Sequence, residues 1–220
     1  MRNNTLKKVI SMLLVLVLSL LINVNASAKE SNLDPSTIFN EKELSLITKE
    51  ARNQKIYQDK GVGTIDKSER LAVSTASTGT YPTRYGVILV TEDKYKGLIP
   101  TGHAAIIWTS TTVVESLSNG VTTGPNDWNT SKNTCYGITV SGTTTAQDNA
   151  ASNWCYKQIG KPYNYNYLDK NTRAKFYCSQ LIYAAYLDNY NINIDTSAFV
   201  TAVHPMELVN SSNTYTIYIK

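Results

Sequence analysis

Positions Val9–Ile22 are apolar except for Ser11 and Ser19. Arg2, Lys7 and Lys8 precede this run, and Ala26-Ser27-Ala28 follows it. A membrane-crossing helix needs about 20 apolar residues, so the run is short for one. A basic start, a short apolar stretch and an A-x-A site together predict a secretory signal peptide over 1–28. The alternative is an uncleaved anchor. From Asn40 to Tyr57 the period changes: Asn40 and Glu43 have capping-box spacing, and Leu44, Ile47 and Ala51 form one apolar stripe of a helix. A polar stretch, Gly61–Thr80, separates this helix from the rest. Beyond it, runs rich in β-branched and aromatic residues predict strands at Tyr85–Thr91, His103–Trp108, Thr112–Leu117, Cys135–Val140 and Thr214–Ile219. Helical patterns fall at Ala146–Ile159, stopped by Gly160 and Pro162, and at Cys178–Tyr190. Strands first and a helix pair later indicate an α+β domain over 81–220, preceded by a charged helical leader and linker over 29–80. That leader reads as a spacer, a helix packed on the main domain, or a pro-segment covering the active site.

Charge follows the same division. Residues 29–80 hold 16 charged side chains, and residues 81–220 hold 19 over a much longer stretch. The 220-residue chain carries a formal +4, which falls to +1 once the three basic residues of 1–28 are removed. No basic surface for nucleic acid is implied. The expected product is secreted or cell-wall associated, without stable membrane insertion after cleavage, and monomeric.

Two histidines and three cysteines restrict the chemistry. Cys135, Cys155 and Cys178 show neither C-x-x-C pairing nor a neighbouring H-x-x-x-H, so no metal site and no cofactor are expected. There is no G-x-S-x-G elbow and no phosphate-cradling glycine loop. Cys178 falls in the first turn of an apolar helix, where partial positive charge and free N–H groups favour a thiolate and can hold an oxyanion. The plain alternative is a small buried hydrophobe. A Cys135–Cys155 disulfide would leave Cys178 as the single free thiol. His103 opens an apolar strand, either as a strand-edge residue or as a general base. Glu115 lies between valine and serine on the next run, where a carboxylate needs a partner. A turn at Thr109–Thr111 would bring His103 and Glu115 onto one face within a ladder step or two, depending on register. Glu115 could then orient the imidazole while its other nitrogen faces Cys178. His204, in Val203-His204-Pro205, is expected in a surface loop before the last strand.

Four stretches carry a resemblance: Gly102-His103-Ala104-Ala105-Ile106-Ile107; Thr112-Val113-Val114-Glu115-Ser116 with Gly120-Val121 and Trp128; Gly160-Lys161-Pro162-Tyr163; and Tyr177-Cys178-Ser179-Gln180-Leu181-Ile182-Tyr183. Together they resemble the circularly permuted papain-like amidases related to NlpC-type cell-wall hydrolases (YiiX/YaeF-like), over about residues 85–219. The order His, Glu, Cys is the permuted one. The resemblance implies a papain-like domain with a central antiparallel sheet packed against helices. It also implies a cysteine peptidase or amidase with Cys178 as nucleophile, His103 as base, Glu115 as orienting group and Tyr163 as an oxyanion donor beside the Cys178 N–H. Without it, Tyr163 is one more residue of an aromatic run lining a groove. The substrate implied is peptidoglycan or a peptide. Gln180 departs from the small or acidic residue more usual there, which bears on substrate preference. Two rival functions remain: an acyltransferase or thioesterase acting on lipids with the same triad, and a non-catalytic cell-wall binding module using the 14 tyrosines and three tryptophans of residues 81–220.

Overall fold

The computed structural model describes residues 34–59, 78–94 and 102–220. The expected signal peptide, 1–28, and most of the polar linker lie outside them. Among the described residues no helix is long and apolar enough to cross a membrane.

Two helices begin this part of the chain, α1 (Pro35–Ile38) and α2 (Glu41–Arg52). Asn40 caps α2, its side chain accepting from Glu43 N at 2.9 Å. The helix ends five residues earlier than the apolar stripe suggests. Ile56 instead bridges to Thr216, so extended pairing replaces the last helical turn. Phe39, Leu44, Ile47 and Ala51 are buried in the same cluster as the main sheet and helices.

The sheet has six strands: β1 (Ile88–Thr91), β2 (His103–Thr109), β3 (Thr112–Leu117), β4 (Gly120–Pro125), β5 (Tyr136–Val140) and β6 (Thr214–Ile219). Their order is β4-β3-β2-β1-β5-β6, and every pairing is antiparallel. This is the α+β architecture expected, with one strand that the sequence pattern misses. β4 contains Gly120, Gly124 and Pro125, residues that ordinarily mark turns. It can be a strand because it lies at the sheet edge, where Pro loses no ladder bond. β1 is shorter than expected, because Gly86 takes φ +78° in a turn and a Cβ there would lie 2.4 Å from the Asp148 backbone.

A short helix, α3 (Trp128–Ser131), joins β4 to β5. Then come α4 (Thr145–Tyr156), α5 (Cys178–Tyr190) and α6 (Pro205–Asn210). Thr144, two residues before the expected start at Ala146, caps α4 in a box with Gln147. Successive residues from Val87 into β1 alternate between two cores. Ile88 and Val90 face the core that includes the helices, and Val87 and Leu89 face a smaller one containing Trp128 and Tyr215. Cys155 belongs to the first core and Cys135 to the second, on opposite sides of the sheet. All three cysteines are accordingly free, and the Cys135–Cys155 disulfide considered above is absent.

Asp148 turns inward rather than serving the start of α4. Its carboxylate, wholly buried, pairs with Arg84 Nη1 at 2.8 Å and accepts from Thr143 Oγ1 at 2.6 Å and Tyr186 OH at 3.3 Å. Arg84 also reaches Asp59 at 3.0 Å, tying the leader to the domain. Removing one partner of a buried pair leaves an uncompensated charge. Arg84→Ala is therefore expected to lower stability by about 3 kcal/mol, read as a lower midpoint in urea unfolding.

Candidate active site

Sheet register assembles the first part of the site. Ala105 of β2 stands opposite Glu115 of β3. His103, two residues from Ala105, therefore shares a face with Glu115 as its diagonal neighbour. Their side chains meet, with His103 Nε2 2.6 Å from Glu115 Oε2, and both are buried. The room for this carboxylate comes from β4: a Cβ on Gly124 would lie 2.1 Å from Glu115 Oε1. The glycine that obscures β4 in the sequence is thus what lets Glu115 turn inward. Trp128 stacks on the imidazole, ring centroids 5.5 Å apart and planes 25° off parallel. The sequence patterns mark Trp128 only as part of the family resemblance; nothing local indicates that α3 would bring it over His103.

Cys178 is the first residue of α5, after Tyr177 in extended conformation. The helix begins here because Gln180 Oε1 accepts from Tyr177 N at 3.1 Å. Gln180 is wholly buried; it also accepts from Asn164 Nδ2 at 2.9 Å and donates to Thr172 O at 3.1 Å. Its bonds brace the loop before the helix. Ser179 Oγ donates to Val203 O at 2.6 Å, fixing the same turn from the other side.

Cys178 lies near enough to His103 to act on the imidazole together with Glu115. Burial opposes charge on the ring, but the hydrogen bonds and negative charges of Cys178 and Glu115 outweigh it and raise its pKa to about 9. Cys178 and His103 are only 2% and 1% exposed, so the pair is held out of bulk water.

Tyr163 is held against the strand leading into the nucleophile turn. It bridges in parallel to Phe176, with Phe176 N donating to Pro162 O and Asn164 N to Phe176 O, both at 3.1 Å. Ser116 Oγ of β3 donates to the same Phe176 carbonyl at 2.6 Å. Burial, then the negative charge of Cys178, push the Tyr163 hydroxyl well above its usual pKa, keeping it a proton donor. The four residues singled out in the sequence are thus brought together. Tyr167 joins them, its hydroxyl 3.3 Å from that of Tyr163. The only sequence sign of it is the alternating Tyr-Asn run at 163–167.

His204 is not on the surface. It is wholly buried and caps α6, its Nδ1 accepting from Met206 N at 3.1 Å. Phe39 and Phe199 pack on its ring, and α6 replaces the expected loop.

A model of the permuted papain-like amidase enzymes of the YaeF/YiiX type matches residues 83–215. The chain belongs to this permuted papain-like amidase family. The matched span covers β1 to β5 and only the first two residues of β6, and holds His103, Glu115, Tyr163 and Cys178. A search of curated proteins finds no match. Among solved structures, the metalloprotein YiiX of Escherichia coli O157:H7 is similar at 14% identity and a TM-score of 0.49, over 62% of this chain and 97% of its own. Among the described residues of this amidase-family chain, no cluster of three or more His, Cys, Asp or Glu could hold a metal ion.

Proposed function

We propose that this amidase-family protein is a secreted thiol hydrolase that cleaves amide bonds in peptidoglycan stem peptides. One observation carries the reading: a buried imidazole, hydrogen-bonded to Glu115, whose charge is coupled to a cysteine at a helix N-terminus. An imidazole that keeps its proton up to about pH 9 is charged across the neutral range and can supply the proton a leaving amine needs. A helix N-terminus favours a sulfur anion at the moment of attack.

The cycle follows. The Cys178 sulfur attacks the amide carbon, and the carbonyl π pair moves onto oxygen. The Cys178 N–H and the Tyr163 hydroxyl donate to that oxyanion; one such donor lowers the barrier by about 3 kcal/mol. His103 gives its proton to the leaving amine as the C–N bond breaks, leaving a thioester. Neutral His103 then takes a proton from water, which attacks the thioester, and the second tetrahedral intermediate expels thiolate and returns a carboxylate. Glu115 keeps the ring oriented and stabilises its charged form in both halves.

The test is mass spectrometry of products released from purified peptidoglycan, beside a parallel incubation with a lipid extract. New amine and carboxylate ends within stem peptides are expected. Acyl-chain transfer or release from the lipid extract, with stem peptides intact, would replace this reading with acyl transfer. Binding of peptidoglycan with no product from either would replace it with a binding module.

A further inference from the structure

We propose that Tyr167 is a positioning residue for the oxyanion donor: its hydroxyl fixes that of Tyr163, so that the Tyr163 O–H is aimed at the developing oxyanion. This rests on the function proposed above. The argument begins with a count of hydrogens. Tyr163 and Tyr167 are 3% and 1% exposed, and their hydroxyl oxygens lie 3.3 Å apart. Among the described residues, neither hydroxyl has a second hydrogen-bond partner in the protein. Two hydroxyls carry two hydrogens, and their mutual bond uses one. One hydrogen is therefore left unspent in a buried place that feels the charge of Cys178 from both rings. A buried donor without an acceptor is costly, and an arriving oxyanion relieves that cost. With Tyr167 donating to Tyr163, the free hydrogen is the Tyr163 one, and its donor strength is increased by the bond it accepts.

Both tyrosines are referenced to the nucleophile. Tyr163 is laddered to Phe176, two residues before Cys178. The Tyr167 ring lies between Tyr177, at 5.2 Å, and Phe39 of the leader, at 5.5 Å. The leader thus supports the hydroxyl pair from behind through a ring that is itself 1% exposed.

Tyr167→Phe removes the hydroxyl and keeps the ring. On a soluble muropeptide, kcat is expected to fall at least about tenfold with KM unchanged, since the donor acts on the transition state. Tyr163→Phe falls further, and the double variant matches Tyr163→Phe alone, because Tyr167 acts through Tyr163. Alkylation of Cys178 by iodoacetamide, which develops no oxyanion, keeps its wild-type rate in Tyr167→Phe. An unchanged kcat, losses that multiply in the double variant, or alkylation falling in step with kcat would each overturn the inference. A dipeptide aldehyde separates it from the function itself. Cys178 adds across the aldehyde to give a hemithioacetal, whose oxygen occupies the same donors. If wild type cleaves no muropeptide yet binds the aldehyde more tightly than Tyr167→Phe does, the function falls and the positioning role stands. Equal aldehyde affinity in the two proteins overturns the positioning role.

Discussion

Cys178→Ala is expected to abolish muropeptide hydrolysis while the fold survives. The side chain is small, and Ala retains the backbone N–H that opens α5. The bonds that fix this turn come from Gln180 and Ser179, not from the sulfur. What disappears is the covalent route, since neither Ala nor a water in its place forms the thioester. Loss of one member of such a unit typically costs about 10⁶ in kcat. By contrast, Cys155→Ala should leave kcat within about twofold and lower stability, because Cys155 is wholly buried in the helical core, 3.8 Å from Leu181 O. The two variants, assayed by muropeptide turnover and urea unfolding, separate a chemical thiol from a packing one.

Glu115→Gln carries the second large effect. The Gln carbonyl can still accept from Nε2, so the ring keeps much of its orientation. The negative charge is lost, however, and with it part of what raises the His103 pKa to about 9 against burial. Two consequences are expected. The rate falls by about 10²–10³, because the imidazolium needed to protonate the leaving amine is no longer stabilised. The basic limb of the pH profile, near 9 in the wild type, moves to lower pH. The same linkage sets a stability term. His103 is raised in the folded state, so its contribution is full below its unfolded pKa of about 6.5 and is lost as pH rises through about 9. In Glu115→Gln that contribution is smaller and its loss is complete at a lower pH. A profile whose basic limb stays near 9 would show that Glu115 does not act through the His103 charge.

The residues legible in the sequence are those whose local context is enough to define them. Cys178 is preceded by aromatics and followed by apolar residues, so its helix start is visible, and the observed helix spans Cys178–Tyr190 as expected. His103 and Glu115 sit in β-branched runs whose hairpin fixes one register. β4 is hidden in the sequence because Gly124 is required by a neighbouring strand's carboxylate and reads locally as a turn. His204 escapes its local pattern for a related reason. Val-His-Pro resembles a loop, yet His204 caps a helix of six residues and lies under Phe39, a residue far away in sequence. Trp128 and Tyr167 depend on three-dimensional neighbours alone: a ring stacked on His103 and a hydroxyl beside Tyr163. The burial of Phe39 likewise could not be read from a leader whose composition is mostly polar.

The most direct test of the central claim is peptide mapping of a muropeptide digest quenched in acid during turnover. The expected result is a stem-peptide acyl group on the fragment containing Cys178, held as a thioester that hydroxylamine releases. Continued muropeptide cleavage with the acyl group on another residue, or with Cys178 fully alkylated beforehand, would contradict it.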